Sequence, residues 1–534
     1  MKMVKSLLLG TAAGLVAVAG AQAADMPVKA KPVLYVKICS LYGDGFYYIP
    51  GTDICLKLGG YVRFQTYYNY GENATQTPFF GVNVQDTRLG NANVGTGNAD
   101  NVYRTRSLIS VDTRQQTEWG TLRTYFTIGH TQDSPPAAVE ALYANRGFIQ
   151  FAGFTLGLAS SFFDFYSSPI VSYFATNTED TGDGGWRVAA YTANFGNGFT
   201  ATVSLEEPRR LGVVNTGFVG ALTNAITTSA TAVTALQSTN GNPFVIGAGA
   251  VLLADQVAVR FPDIVMNWRV DQAWGAAMIG GAIHDASGGY YGNTLTNSAI
   301  NGHPTDKIGW VATAGLRLNA PNGSFFQAQA SYTEGALRYL SHTQFPASSA
   351  TKFGIGNSIG FGYALDGVYG TGTEVELTRG WAVYAAYDHV WVPGKWRTSL
   401  YGGYIKVDYN ESATALISNA TCGPQGAIAG AVGTGIFPAA GTPGSNLAPT
   451  GTVTSMSNCD PDWAIAYIGS RTQYNFTPDF YAGIDVIYTK LSTAFNGTGV
   501  YRALAGTARP TGIYAIEDQD NLSVTVRFHR DFKP

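Results

Sequence analysis

The chain has 534 residues, with 33 Lys+Arg against 36 Asp+Glu and a formal charge of −3, so it lacks the basic excess with which proteins meet nucleic-acid phosphates. Charged residues make up only 13%, about half the share in soluble domains, yet beyond residue 23 no apolar run is long enough to cross a bilayer as a helix. Scarce charge without apolar helices, combined with 65 Gly and 31 Tyr, is the composition of strands that face lipid with alternate residues and carry amphipathic rings at the membrane boundary.

Lys2 and Lys5, the apolar stretch 7–19 and Ala21-Gln22-Ala23 form a basic start, a short apolar core and a small-residue cleavage site. Residues 1–23 therefore read as a signal peptide, and the mature chain, 534 minus 23 or 511 residues, begins at Ala24. Residues 24–58 read as an N-terminal periplasmic leader. Its polar, proline-containing start, Ala24 to Pro32, is ill suited to a barrel wall. Cys39 and Cys55 lie close in sequence, as do Cys422 and Cys459, and an oxidising compartment favours two local disulfides. Spacing alone leaves three connectivities open.

From residue 59 onward, stretches of about ten residues alternate in polarity between turn residues. In 59–70, Arg63 and Gln65 share one face and Val62 and Phe64 the other. In 102–116, Arg104, Arg106, Ser110, Asp112 and Arg114 lie opposite Tyr103, Ile109 and Val111. In 121–130, Arg123 and Thr127 oppose Leu122, Phe126 and Ile128. Further strands are predicted at 145–153, 154–163, 186–195, 199–206, 256–269, 274–284, 307–318 and 325–334. The series continues at 376–391, 395–408, 462–476, 479–491 and 519–532, making sixteen in all. Pro262 is awkward inside the 256–269 ladder.

Connections alternate between short and long, which describes an up-and-down barrel with tight periplasmic turns and long outer loops. The predicted fold is an all-β transmembrane antiparallel barrel of sixteen strands, over 59–534. The last strand sets Leu522, Val524, Val526, Phe528 and Phe532 against Ser523, Thr525, Arg527 and His529, the amphipathic pattern of a closing strand.

The run Val36-Lys37-Ile38-Cys39-Ser40-Leu41-Tyr42-Gly43, then Gly45 to Asp53, Cys55 and Gly59-Gly60-Tyr61-Val62-Arg63 resembles the opening of alphaproteobacterial general porins. Gly147 to Thr155 with Ser161-Phe162-Phe163-Asp164, and Trp396 to Gly402, are similar to later stretches of that family. The resemblance implies a homotrimer in the Gram-negative outer membrane, in contact with lipid and lipopolysaccharide, passing small hydrophilic solutes and ions. It also implies that the third loop, about 164–185, folds inward as a constriction. The Ala24-Asp25 start resembles barrels attached to peptidoglycan through this end; an unstructured leader is the plainer reading. Lys533 and Pro534 depart from the family's usual aromatic ending, and loops 207–255 and 409–461 are long.

Such a channel needs no catalytic group, cofactor or metal; charged side chains across a narrow water column set its selectivity. The pore-lining candidates are Arg63, Arg104, Arg106, Arg114, Arg123 and Arg146 on the water-facing parity, opposed by Asp164, Glu179, Asp180 and Asp183 in the inward loop. Interior ion pairs or rim charges are the alternative for each. A sugar-selective channel, a peptidoglycan-anchored structural barrel and a barrel enzyme are the other functions weighed. The six histidines have no H-E-x-x-H spacing, and neither a G-x-S-x-G elbow nor a phosphate-binding loop occurs.

Overall fold

A computed structural model describes residues 38–68, 101–133, 140–174, 176, 178–216, 257–291, 302–341, 349–353, 358–422, 456–501 and 512–532. The expected signal peptide and the leader up to residue 37 lie outside them. Sixteen long strands form one antiparallel sheet. The first eight are β1 (Cys55–Tyr68), β2 (Asn101–Thr117), β3 (Gly120–Asp133), β4 (Glu140–Phe151), β5 (Phe154–Ala159), β6 (Trp186–Gly196), β7 (Phe199–Glu206) and β8 (Asp263–Gln272). The others are β9 (Gly275–Asp285), β10 (Ile308–Asn319), β11 (Phe325–Glu334), β12 (Arg379–Val392), β13 (Trp396–Asp408), β14 (Trp463–Thr477), β15 (Phe480–Ser492) and β16 (Gln519–Phe532). Each pairs with its sequence neighbour, and β16 closes on β1 with Phe532 opposite Gly60 and Val524 opposite Tyr68. Closure leaves no edge strand, which a sheet in hydrocarbon requires.

All sixteen expected strands are present. Several boundaries differ, three of them for plain local reasons. β1 starts at Cys55, four residues early, because its ladder with β2 extends to Cys55 opposite Arg114. β5 stops at Ala159 rather than 163: Ser161 Oγ and the Phe162 N–H instead donate to the Glu206 carboxylate, at 2.6 and 2.9 Å, and draw the chain out of the sheet. β8 begins just after Pro262, so the missing proline N–H costs no ladder bond.

Alternation sorts the two faces as the sequence predicts. Val62, Phe64, Ile109, Ile128, Leu156, Met266, Ile279, Leu400, Ile484 and Leu522 are all exposed on the outside, an arrangement suited to lipid rather than water. Trp119, Phe195, Phe199, Trp274, Trp391, Trp396 and Phe476 are exposed near the short turns and make one aromatic girdle. Among the described residues no helix is long and apolar enough to cross a membrane.

At the opposite rim the long loops carry structure of their own. Gly212–Asn215 runs parallel to Leu365–Tyr369, which also pairs with Glu376–Leu377. A helix, Glu411–Cys422, packs nearby. The Cys39–Cys55 disulfide is present, with Cα atoms 5.9 Å apart. Cys459 is also disulfide-bonded; the side chain of Cys422, its expected partner, lies outside the described residues.

Candidate functional site: the barrel lumen

The arginines noted in the sequence are brought together by strand register. Arg63 of β1 stands opposite Arg106 of β2, and Gln65 opposite Arg104. Arg114 of β2 stands opposite Arg123 of β3, and Thr127 of β3 opposite Arg146 of β4. Adjacent like charges repel across a sheet, and here carboxylates of the wall itself offset them. Asp112 accepts from both Arg114 and Arg123, at 2.9 and 3.0 Å. Asp133 takes a two-point contact from Arg104, at 2.5 and 2.6 Å, with both side chains almost wholly buried. Arg114 and Arg123 each keep 28% of their side-chain surface accessible.

Barrel closure adds a histidine and an arginine that chain order conceals. His529 of β16 lies opposite Arg63, and Arg527 opposite Gln65. On β12 to β14, Arg397 and Arg471 share Asp388, at 2.7 and 2.8 Å. Arg527 and His529 are on the polar parity of the last strand and so were legible as water-facing. Their place beside Arg63 was not, because it depends on the seam between the two chain ends.

Residues 160–185, between β5 and β6, hydrogen-bond to strands far around the ring. Asn267 of β8 donates to Phe162 O at 2.6 Å, and Gln329 of β11 accepts from Tyr166 N at 2.8 Å. Gln327 donates to Ser167 O at 2.9 Å, and Ser399 of β13 donates to Val171 O. Asp485 of β15 accepts from Ser172 Oγ and Tyr173 N, at 2.8 and 2.6 Å, while Arg527 of β16 donates to Tyr173 O at 2.9 Å. Two glycines allow the close approach. A Cβ added at Gly315 would collide with the Phe165 ring, and one at Gly483 with the Tyr173 hydroxyl.

The acids of this segment do not all meet the arginine row. Asp164 pairs with the buried Arg209 at 2.8 Å and accepts from Thr181 N at 2.8 Å. Arg209 also donates to Glu179 O and lies 4.6 Å from the centre of the Tyr339 ring, tying the loop after β7 to this segment. Glu179 is fully buried and accepts from Tyr166 N at 3.0 Å. Burial, aided by the charges of Asp164 and Asp180, pushes its carboxyl well above the usual range. Asp180 accepts from Ser168 N and Gly182 N, at 3.0 and 2.7 Å. The Asp183 side chain lies outside the described residues. Of the row, Arg146 reaches the segment, donating to Gly182 O at 2.6 Å.

The water-facing parity is not polar throughout. Toward the long loops, Tyr401, Ile405 and Val407 of β13, Trp463 and Ile465 of β14, and Ile487 and Leu491 of β15 are buried in one apolar cluster. Val214, Leu337, Leu340, Leu365, Val368 and Ile417 of the loops fill it. A polar clamp fastens these loops to β8 and β9. His284 Nδ1 is 2.7 Å from Asp263 and its Nε2 3.5 Å from Asp366, while Tyr339 donates to Asp263 at 2.8 Å. Asp366 also accepts from Leu211 N and Leu337 N, at 2.6 and 3.0 Å. Both nitrogens of this buried imidazole face carboxylates, an arrangement for holding loops in place rather than activating a nucleophile.

Comparison with known proteins agrees with this architecture. A family profile described as "Porin subfamily" matches residues 25–525. Porin Omp2b of Brucella melitensis is 33% identical over 219 residues, 38% of this chain and 54% of that protein. Porin Omp2b of Brucella suis is 32% identical over the same shares. The chain thus spans about half the length of the curated relatives it matches. Among solved structures, the outer membrane channel DcaP of Acinetobacter baumannii superposes with a TM-score of 0.51 at 14% identity, covering 91% of this chain and 99% of that one, a likeness of fold. A closed sixteen-stranded barrel with a lipid-facing exterior and an arginine-lined interior, matched by that profile over nearly all of its length, places this chain in the porin family of outer-membrane β-barrels.

Proposed function

We propose that the protein forms a water-filled channel through which small hydrophilic solutes and ions diffuse passively. The observation that carries this reading is the closed barrel whose inward parity holds Arg63, Arg106, Arg114, Arg123 and Arg146. A wall like this has no role in hydrocarbon, where a cation at mid-depth costs about 2–4 kcal/mol. It suits a channel rather than an enzyme.

Residues 160–185 fold inward as the constriction. Their hydrogen bonds to β8, β11, β13, β15 and β16 support this, since a loop lying outside could not reach inward-facing side chains on so many strands. The constriction is held in place mainly by wall side chains bonded to its backbone, and its field comes from the wall arginines with Asp112 and Asp133 rather than from Glu179. The barrel functions as a homotrimer among lipid and lipopolysaccharide, as family membership supports. Residues 1–23 are removed on export, and the leader from Ala24 reaches peptidoglycan on the periplasmic side. Cys422 pairs with Cys459.

A narrower, substrate-selective channel is the second reading, favoured by the apolar filling of β13 to β15, which leaves water less of the lumen. Liposome swelling with sugars of increasing size separates the two. A graded cutoff supports general diffusion, one favoured sugar supports selectivity, and no uptake even of the smallest sugar by folded protein refutes both.

A further inference from the structure

The start of β1 points inward. Along this strand Leu58, Val62, Phe64 and Tyr68 are exposed on the lipid side, so Cys55, Lys57 and Arg63 share the water-facing parity. Cys55 lies opposite Arg114, at the rim of the short turns. Residues 38–54, ahead of β1, double back beside its start and bring Cys39, Tyr42 and Phe46 over this inner face. Tyr47 and Tyr48 pair with Leu56 and Cys55, Ile38 bridges to Tyr47, and Cys39 N donates to Phe46 O at 2.9 Å.

The knob thus formed covers inward-facing cations. The Arg114 guanidinium lies 4.9 Å from the centre of the Phe46 ring and 5.7 Å from that of Tyr42. Lys57 Nζ donates to Asp44 O at 2.8 Å and stands 5.6 Å from the Phe46 ring. Cys39, Phe46 and Cys55 are buried together, with Tyr42 and Tyr48 packed around them. A two-residue strand and a few ring–cation contacts are a weak hold on seventeen residues set against chain entropy. The Cys39–Cys55 disulfide supplies the covalent tether.

We infer that residues 38–54 form a second constriction, at the short-turn mouth, held over Arg114 by the Cys39–Cys55 disulfide so that this arginine is partly shielded from solutes in transit. This rests on the channel reading above and deepens it: one barrel then carries two filters. The upper one, residues 160–185, is held by hydrogen bonds, and the lower one by a covalent bond.

The full-length protein, Cys39→Ser/Cys55→Ser and Tyr42→Ala/Phe46→Ala are compared in planar bilayers under a KCl gradient, with heat-modifiable gel mobility as the check on folding. Both variants should show a larger single-channel conductance than the parent and a reversal potential moved toward anion preference. Adding Arg114→Gln to either should cancel the reversal-potential shift while leaving the conductance raised. In Cys39→Ser alone, a cationic methanethiosulfonate reagent should reach Cys55 and step the current down. Folded variants with the parent's conductance and reversal potential would overturn the proposal. If the parent itself passes no current, the channel reading fails first. The knob is then judged by labelling: a Cys55 thiol that resists the reagent in folded Cys39→Ser protein would overturn it independently.

Discussion

Asp485 is the place to test whether residues 160–185 are docked as described. Its buried carboxylate accepts three hydrogen bonds, from Ser172 Oγ at 2.8 Å, Tyr173 N at 2.6 Å and Tyr401 Oη at 2.6 Å. Two of the donors belong to the tip of the segment. Hydrogen bonds to a charged group contribute about 1.5–3 kcal/mol each, and a buried donor left without an acceptor costs about 1–3 kcal/mol. Asp485→Ala removes the acceptor shared by all three, though the Ser172 hydroxyl can turn elsewhere and water can enter the space. A net loss of about 3–5 kcal/mol in tip docking is expected, roughly two to three and a half powers of ten in the docked-to-released ratio. Arg527 and Ser399 still hold the tip backbone, so it should loosen rather than leave the lumen. In planar bilayers the variant should give noisier open-channel current and higher conductance, and limited proteolysis should begin cutting near Tyr173. Folded Asp485→Ala with parental noise, conductance and protease resistance would show that the carboxylate does not anchor the segment.

Gly315→Val should displace Phe165 and raise conductance, because the ring rests where the new side chain would stand; unchanged conductance would refute this seat. Neutralising Arg63, Arg106 and Arg123 together to Gln should move the reversal potential toward cation preference. The shift should shrink in molar salt, where the screening length falls to ~3 Å; a shift that is independent of salt would point to altered pore size. Burial, with Asp460 and Asp408 adding repulsion, pushes the Asp462 carboxyl up to about 6. Its folded form therefore holds a proton that the unfolded chain has released near pH 4. Between these values the unfolded state binds fewer protons, so stability falls as pH rises through 6. Asp462→Asn, which keeps an acceptor for Tyr409 N, should flatten that fall in thermal melts from pH 4 to 8, and an identical slope would refute the assignment.

The alternation of Arg63, Gln65 and Tyr67 with Val62, Phe64 and Tyr68 determines by itself which side chains meet water, because successive residues of a strand point to opposite faces. Repeated sixteen times, with short and long connections in turn, that local rule also determines the barrel and its rims. It does not determine who stands beside whom. Asp112 being shared by Arg114 and Arg123 follows from the register of one hairpin, and His529 lying against Arg63 follows from closure, which joins segments hundreds of residues apart. The fate of the loop acids was equally hidden. Glu179 reads in sequence as an anion facing a cationic wall, yet packing buries it and favours its neutral form. Ile405, Trp463 and Ile487 obey the inward parity while breaking its polarity, because loops from separate stretches of chain enter the barrel and bring apolar partners with them. Parity is a property of one strand, whereas the environment a side chain meets is made by everything that folds against it, and only the tertiary structure decides that.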